Sequence, residues 1–134
     1  MTLNLSDKYL KKAQSDLKIA VGELRTENPA YDMICFHFQQ FVEKCLKAFL
    51  ITNSQTVART HNIPFLLKEC SKFDTGFDMF IDTKLIDLNT CGVEIRYDDI
   101  DEVSQEFIES VYPLVLDFKY FIDSKLSTPN LFTV

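Results

Sequence analysis

The 134-residue sequence predicts an all-α protein, an antiparallel up-and-down helical bundle of four main helices plus one short helix. Three observations predict it. Apolar residues recur at spacings of three and four through most of the chain, and no useful stretch alternates in the manner of a half-buried strand. Twelve Phe and five Tyr stand against three Gly and no Trp, the composition of a filled aromatic core rather than of a disordered or loop-rich chain. A chain of this length fits one domain and buries roughly two-thirds of its unfolded surface, so no metal or disulfide staple is required.

The first helix, capped by Asn4 or Ser6, carries Leu10, Ala13, Leu17, Ala20, Val21 and Leu24 on one face and ends near Arg25. Asn28 as cap and Pro29 at the first helical position start the second helix, which runs to about Asn53 and forms the spine. At 100° per residue, Ile34, Phe38, Phe41, Val42, Cys45, Ala48 and Phe49 gather into one apolar arc. Thr60 or Asn62 caps a short third helix over Phe65, Leu66 and Leu67, with Pro64 tolerated in its first turn, and Asp74-Thr75-Gly76 ends it. Phe77, Phe80, Ile81, Leu85, Ile86 and Leu88 predict a fourth helix, followed by a loop over 89–98. Asp99 with Glu102 resembles a capping box for a fifth, whose Val103, Phe107, Val111, Leu114, Phe118 and Ile122 share a face that Pro113 is expected to kink. Residues 1–126 make the bundle domain and 127–134 a C-terminal tail.

A net charge of −6 with no long basic run repels nucleic acid overall. DNA is therefore not an expected partner, and any phosphate contact must be local. Cys35, Cys45, Cys70 and Cys91 include no Cys-x-x-Cys pair, so buried reduced thiols are expected rather than a zinc site. No other metal spacing and no Gly-rich phosphate loop occurs, so no cofactor is expected. Without an 18-residue apolar run, and with Met1 leading into a polar amphipathic helix, the chain reads as cytoplasmic with no membrane span.

The second helix also carries the candidate chemistry. His37, Gln40, Glu43, Lys44 and Lys47 recur along its polar stripe with Phe36 in their midst, and a ring in that setting needs a cover. Glu43 and Lys47 equally form an i,i+4 pair of a solvated face, and His37 equally a hydrogen-bonded packing residue. Arg59 and His61 flank Thr60 at the start of the third helix, where open N–H groups and the helix dipole suit an anion. Arg96-Tyr97 precedes the last helix and brings a guanidinium and a phenol, either to the same groove or to packing and ion-pair roles.

Phe36-His37-Phe38-Gln39-Gln40 followed by Glu43-Lys44-Cys45-Leu46-Lys47-Ala48 resembles the second-helix signature of HEPN domains, the higher eukaryotes and prokaryotes nucleotide-binding family. Ala13 to Ala20 with Asp16-Leu17, Arg59-Thr60-His61-Asn62-Ile63, and Arg96-Tyr97 resemble the family's first helix, the opening of its third and the approach to its last. The resemblance implies a homodimer and a nucleotide- or RNA-related groove along Phe36, His37, Gln40, Glu43, Lys44 and Lys47, with Arg59, His61, Arg96 and Tyr97 contributing. Within that family it resembles the non-catalytic partner of a minimal nucleotidyltransferase protein in prokaryotic toxin–antitoxin-like systems. Ribonuclease members resemble one another in an Arg, four to six residues, then His. Here Arg25 lies twelve positions before His37 and Arg59 two before His61, which speaks against that activity. A metal-independent endoribonuclease toxin with a non-standard histidine site, and a purely protein-binding dimeric module, are the alternatives.

Overall fold

The computed structural model describes residues 4–53, 55–56, 59–91, 103–125 and 132. Four α-helices, α1 (Leu5–Leu24), α2 (Tyr31–Thr52), α3 (Ile63–Ser71) and α4 (Gln105–Lys125), and two 3-10 helices (Thr75–Phe80 and Lys84–Thr90) form an all-α bundle. No strand occurs among the described residues. No helix among them is long and apolar enough to cross a membrane.

Helix α2 is the spine because it is buried nearly all round. Its predicted apolar arc lies in the core, with Phe49 at the edge, and α1, α3, α4 and the second 3-10 helix all pack on it. Helix α1 lies antiparallel along it: Ser6 at the start of α1 donates to Ala48 O (3.1 Å) near the end of α2. Helix α4 runs parallel to α2, since Val103 N donates to Asp32 Oδ1 (3.0 Å), Tyr112 stacks on Phe38 and Phe118 meets Phe41 edge-on, in matching order. That is the alternation of an up-and-down bundle. The rings of Phe49, Phe77, Phe121, Phe80, Phe118, Phe41 and Phe132 touch in unbroken succession, mostly edge to face, and join α2, the first 3-10 helix and α4. Phe132, from the segment read as a tail, is thereby a core residue. Gly76 is required where the first 3-10 helix meets α4, because a Cβ there would lie 2.8 Å from the Phe121 ring.

Several element boundaries differ from expectation, each for a local reason. Helix α2 begins at Tyr31 with Ala30 in the cap position, so Asn28 and Pro29 lie outside it; Glu23 Oε2 of α1 instead accepts from Ala30 N (2.9 Å). The predicted fourth helix is two 3-10 helices. Asp74 caps the first and Thr83 the second, and the Thr83 hydroxyl turns back onto Phe80 O (2.8 Å), which stops the first and starts the second. Phe65 of α3 is exposed while Leu66 and Leu67 are buried. Ser104 Oγ accepts from Phe107 N (3.1 Å) at the start of α4, whereas Asp99 and Glu102 lie outside the described residues. Helix α4 continues through Pro113, whose ring is exposed and leaves the Glu109 carbonyl without its helical donor.

Cys45 and Cys70 are free, buried thiols as expected, but Cys35 and Cys91 are joined in a disulfide. The second 3-10 helix carries Cys91 to 5.6 Å from Cys35, Cα to Cα, within ordinary disulfide reach. Sequence spacing argued against zinc, and it carries no information about two thiols 56 positions apart.

Asp74 also fastens the C-terminal helix. Its carboxylate accepts from Gly76 N (2.8 Å) and from Lys125 Nζ (3.0 Å), and the backbone bond first, then the Lys125 ammonium, hold its pKa below the ordinary carboxylate value. A folded pKa below the unfolded one contributes stability above the unfolded value and loses it as the pH falls through the folded one. Asp74→Asn is therefore expected to flatten the acid limb of the stability profile below about pH 4. Urea unfolding along a pH series checks this, and an unchanged acid limb would remove Asp74 from the account.

Candidate functional site

Two carboxylates, each nearly sealed from water, hold the polar stripe of α2: Asp16 reaches it from α1, and Glu43 belongs to the stripe itself. Asp16 sits in the inward register of α1 between Ala13 and Ala20 and is 6% exposed. His37 Nδ1 lies 2.8 Å from Asp16 Oδ1, and Lys44 Nζ donates to the other oxygen. An ionised carboxylate only accepts, so His37 carries a proton on Nδ1, and Nε2 is an acceptor in the neutral form of the ring. Glu43, whose side chain is 5% exposed, accepts from Gln39 Nε2 (2.9 Å) and His61 Nδ1 (3.0 Å) on one oxygen and from Lys47 Nζ (3.4 Å) on the other. Gln40 Nε2 donates to Gln39 Oε1 (2.7 Å) and extends this network along the helix.

Of the ten expected site residues, seven fall in one connected region. Phe36, His37, Gln40, Glu43, Lys44 and Lys47 follow one another along α2, and His61 reaches them from the approach to α3. The Phe36 ring is half-buried and meets the His37 ring edge-on at 5.1 Å. Arg59 is exposed on the link ahead of α3, and Arg96 and Tyr97 lie outside the described residues. The stripe is not the solvated face that its charges suggest, because Glu43 and Lys47 are buried against each other and both lysine heads are spent on carboxylates. Two buried ion pairs of this kind balance charge locally and leave little net attraction for a polyphosphate.

The start of α3 is closed to an anion, contrary to expectation. Ile63 N donates to Asn89 Oδ1 (2.8 Å), Pro64 has no N–H, Phe65 N donates to Asn62 Oδ1 (2.8 Å), and Leu66 N donates to Asn62 O (3.0 Å). The donors that a phosphate needs are already used. Sequence reasoning also missed Gln39, which is fully buried, and gave Asp16 no structural role. The signal was present: each is a polar residue three or four positions from core residues on both sides, Asp16 from Ala13 and Ala20 and Gln39 from Cys35 and Val42.

Beside His37 a groove of about 650 Å³ opens between the C-terminal half of α1 and the N-terminal half of α2. Ser15, Lys18, Ile19, Gly22, Met33 and His37 are among the residues that line it. His37 is thus shared between the clamped stripe and an open cleft. No three His, Cys, Asp or Glu side chains among the described residues are placed to hold a metal ion.

Comparison with known proteins gives one match. The family model of the HEPN domain covers residues 6–121, and no curated protein and no solved structure matches the chain. Most of the sequence lies within that span, and it takes in α1, the clamped α2 stripe, His61 and nearly all of α4, so the chain belongs to the HEPN domain family.

Proposed function

We propose that this chain is a non-catalytic, nucleotide-binding HEPN module that self-associates and serves as the partner of a minimal nucleotidyltransferase. One observation carries the binding half of this reading: His37, its Nδ1 held by buried Asp16, lines a groove of ligand size, and the half-buried Phe36 ring meets the His37 ring edge-on. A ring nitrogen fixed at such a cleft suits the hydrogen-bonding edge of a nucleobase. The charge balance of the stripe, with Lys44 and Lys47 each matched by a carboxylate, favours a small nucleotide over a long RNA strand. The non-catalytic half is supported by the missing Arg-to-His spacing.

Titration calorimetry with nucleoside mono-, di- and triphosphates tests the proposal. Saturable binding is expected, weakened about fivefold in His37→Ala, since one hydrogen bond to a base contributes about 1 kcal/mol. Absence of any saturable nucleotide binding would leave a protein-binding module instead. A second reading has its own observation: His37 and His61 each carry a carboxylate on Nδ1, the arrangement by which a general base is oriented. RNA cleavage by the purified protein that disappears in His37→Ala or His61→Ala would replace the first reading with an endoribonuclease.

A further inference from the structure

We infer that a nucleoside monophosphate occupies the groove between α1 and α2, its base over the bare backbone at Gly22, a base N–H on His37 Nε2 and its phosphate beside Lys18. The inference rests on the nucleotide-binding reading and adds the seat and the ligand class.

Gly22 lies inside α1, and a Cβ built there would meet nothing within 4 Å. Neither crowding nor a left-handed backbone asks for glycine, and alanine would hold the helix better. What the missing side chain supplies is open floor: a flat ligand can approach the helix backbone between Ile19 and Met33, which are 51% and 49% exposed and flank the groove as apolar walls. A base lying there buries its faces against those side chains.

The polar side chains that line the groove set the ligand's chemistry. With Nδ1 committed to Asp16, the neutral form of His37 offers Nε2 as an acceptor, which pairs with an N–H donor such as the amino or imino edge of a nucleobase. Glu23, the groove's one acidic side chain, is turned to Ala30 N (2.9 Å) and the Thr26 hydroxyl (3.2 Å). Lys18 is exposed, takes part in none of the ion pairs found among the described residues, and supplies a single cation. One cation on a chain of net charge −6 suits one phosphate better than three.

The test pairs Gly22→Met with the wild-type chain, using AMP as probe. Calorimetry is expected to show AMP affinity at least tenfold weaker in Gly22→Met, with its melting temperature unchanged or raised because the new side chain fills only open space. Lys18→Gln is expected to weaken AMP several-fold and to reduce the salt dependence of binding. In the wild type, the Met33 methyl proton resonance is expected to shift on AMP addition by the ring current of the base. If AMP or another mononucleotide binds but Gly22→Met binds it equally and the Met33 methyl does not move, the seat is wrong and the nucleotide reading stands. If the wild type binds a di- or triphosphate but no mononucleotide, the ligand class is wrong and the nucleotide reading stands; if it binds no nucleotide at all, both fall together.

Discussion

Glu43→Ala is expected to cost about 3–5 kcal/mol of folding stability, read from the urea midpoint at constant slope. Against the 5–15 kcal/mol total of a typical domain, that threatens the fold itself. The loss has two parts. The Lys47 ammonium, its side chain only 8% exposed, is left without its counter-charge, and the fully buried Gln39 amide loses an acceptor. His61 is 64% exposed at its side chain and turns to water, so it adds little. The size of the effect comes from stranding the partners rather than from the worth of the bridge. Hence Glu43→Leu combined with Lys47→Met is expected to recover most of the loss, because well-packed apolar side chains of similar volume replace a buried pair at little cost. Glu43→Gln, which keeps the shape and one acceptor, should fall between. A Glu43→Ala loss below 1 kcal/mol would mean that water reaches this network, and the stripe would then be the solvated face that its charges first suggest.

How much of this arrangement the sequence discloses depends on whether the cause is local. The three long helices are legible because each repeats an apolar face over five or more turns, and Asn4 and Asn62 cap where their residue types predict. The stretch from Phe77 to Leu88 keeps the same periodicity and yet splits into two 3-10 helices, since Thr83 competes for the backbone at one point that a periodicity average cannot register. The entry to α2 misleads in a related way: Asn28-Pro29 carries the start signal, but a carboxylate from the preceding helix closes the turn two residues later. At the site, residue types in a row on α2 were enough to gather six of the ten candidates, and His61 joins them from the approach to α3. Their environment was not legible. Whether Glu43 and Lys47 meet water is decided by what α1 and the approach to α3 lay over them, and Asp16 and His61 come from 27 positions before and 18 after Glu43. Polar residues in inward register, Asp16 and Gln39, were the available warning that the stripe is sealed from both flanks.

Reducing the Cys35–Cys91 bond is expected to lower stability by about 4 kcal/mol, because the cross-link removes from the unfolded chain the freedom of a loop spanning 56 positions. Urea unfolding with and without a dithiol reductant measures it, and Cys91→Ser should reproduce the reduced value in both conditions. That variant is cleaner than Cys35→Ser, since Cys91 lies at the edge of the core and Cys35 is fully buried, where a serine hydroxyl would add a desolvation cost of its own. The other two thiols provide the internal control. Burial raises the Cys45 thiol well above its ordinary value and pushes Cys70 up to about 12, so neither supplies the thiolate that exchange or alkylation needs. Native protein should therefore resist alkylation at all four positions until the bond is reduced, after which Cys91 should label ahead of Cys35. The bond also bears on the site, since Cys35 immediately precedes Phe36 and His37 on α2 and holds the end of the second 3-10 helix against that turn. Reduction should thus be visible in the His37 ring resonances as well as in the midpoint. Equal urea midpoints with and without reductant would mean that core packing alone fixes Cys91 beside α2, and the cross-link would then have no part in holding the first turns of the spine.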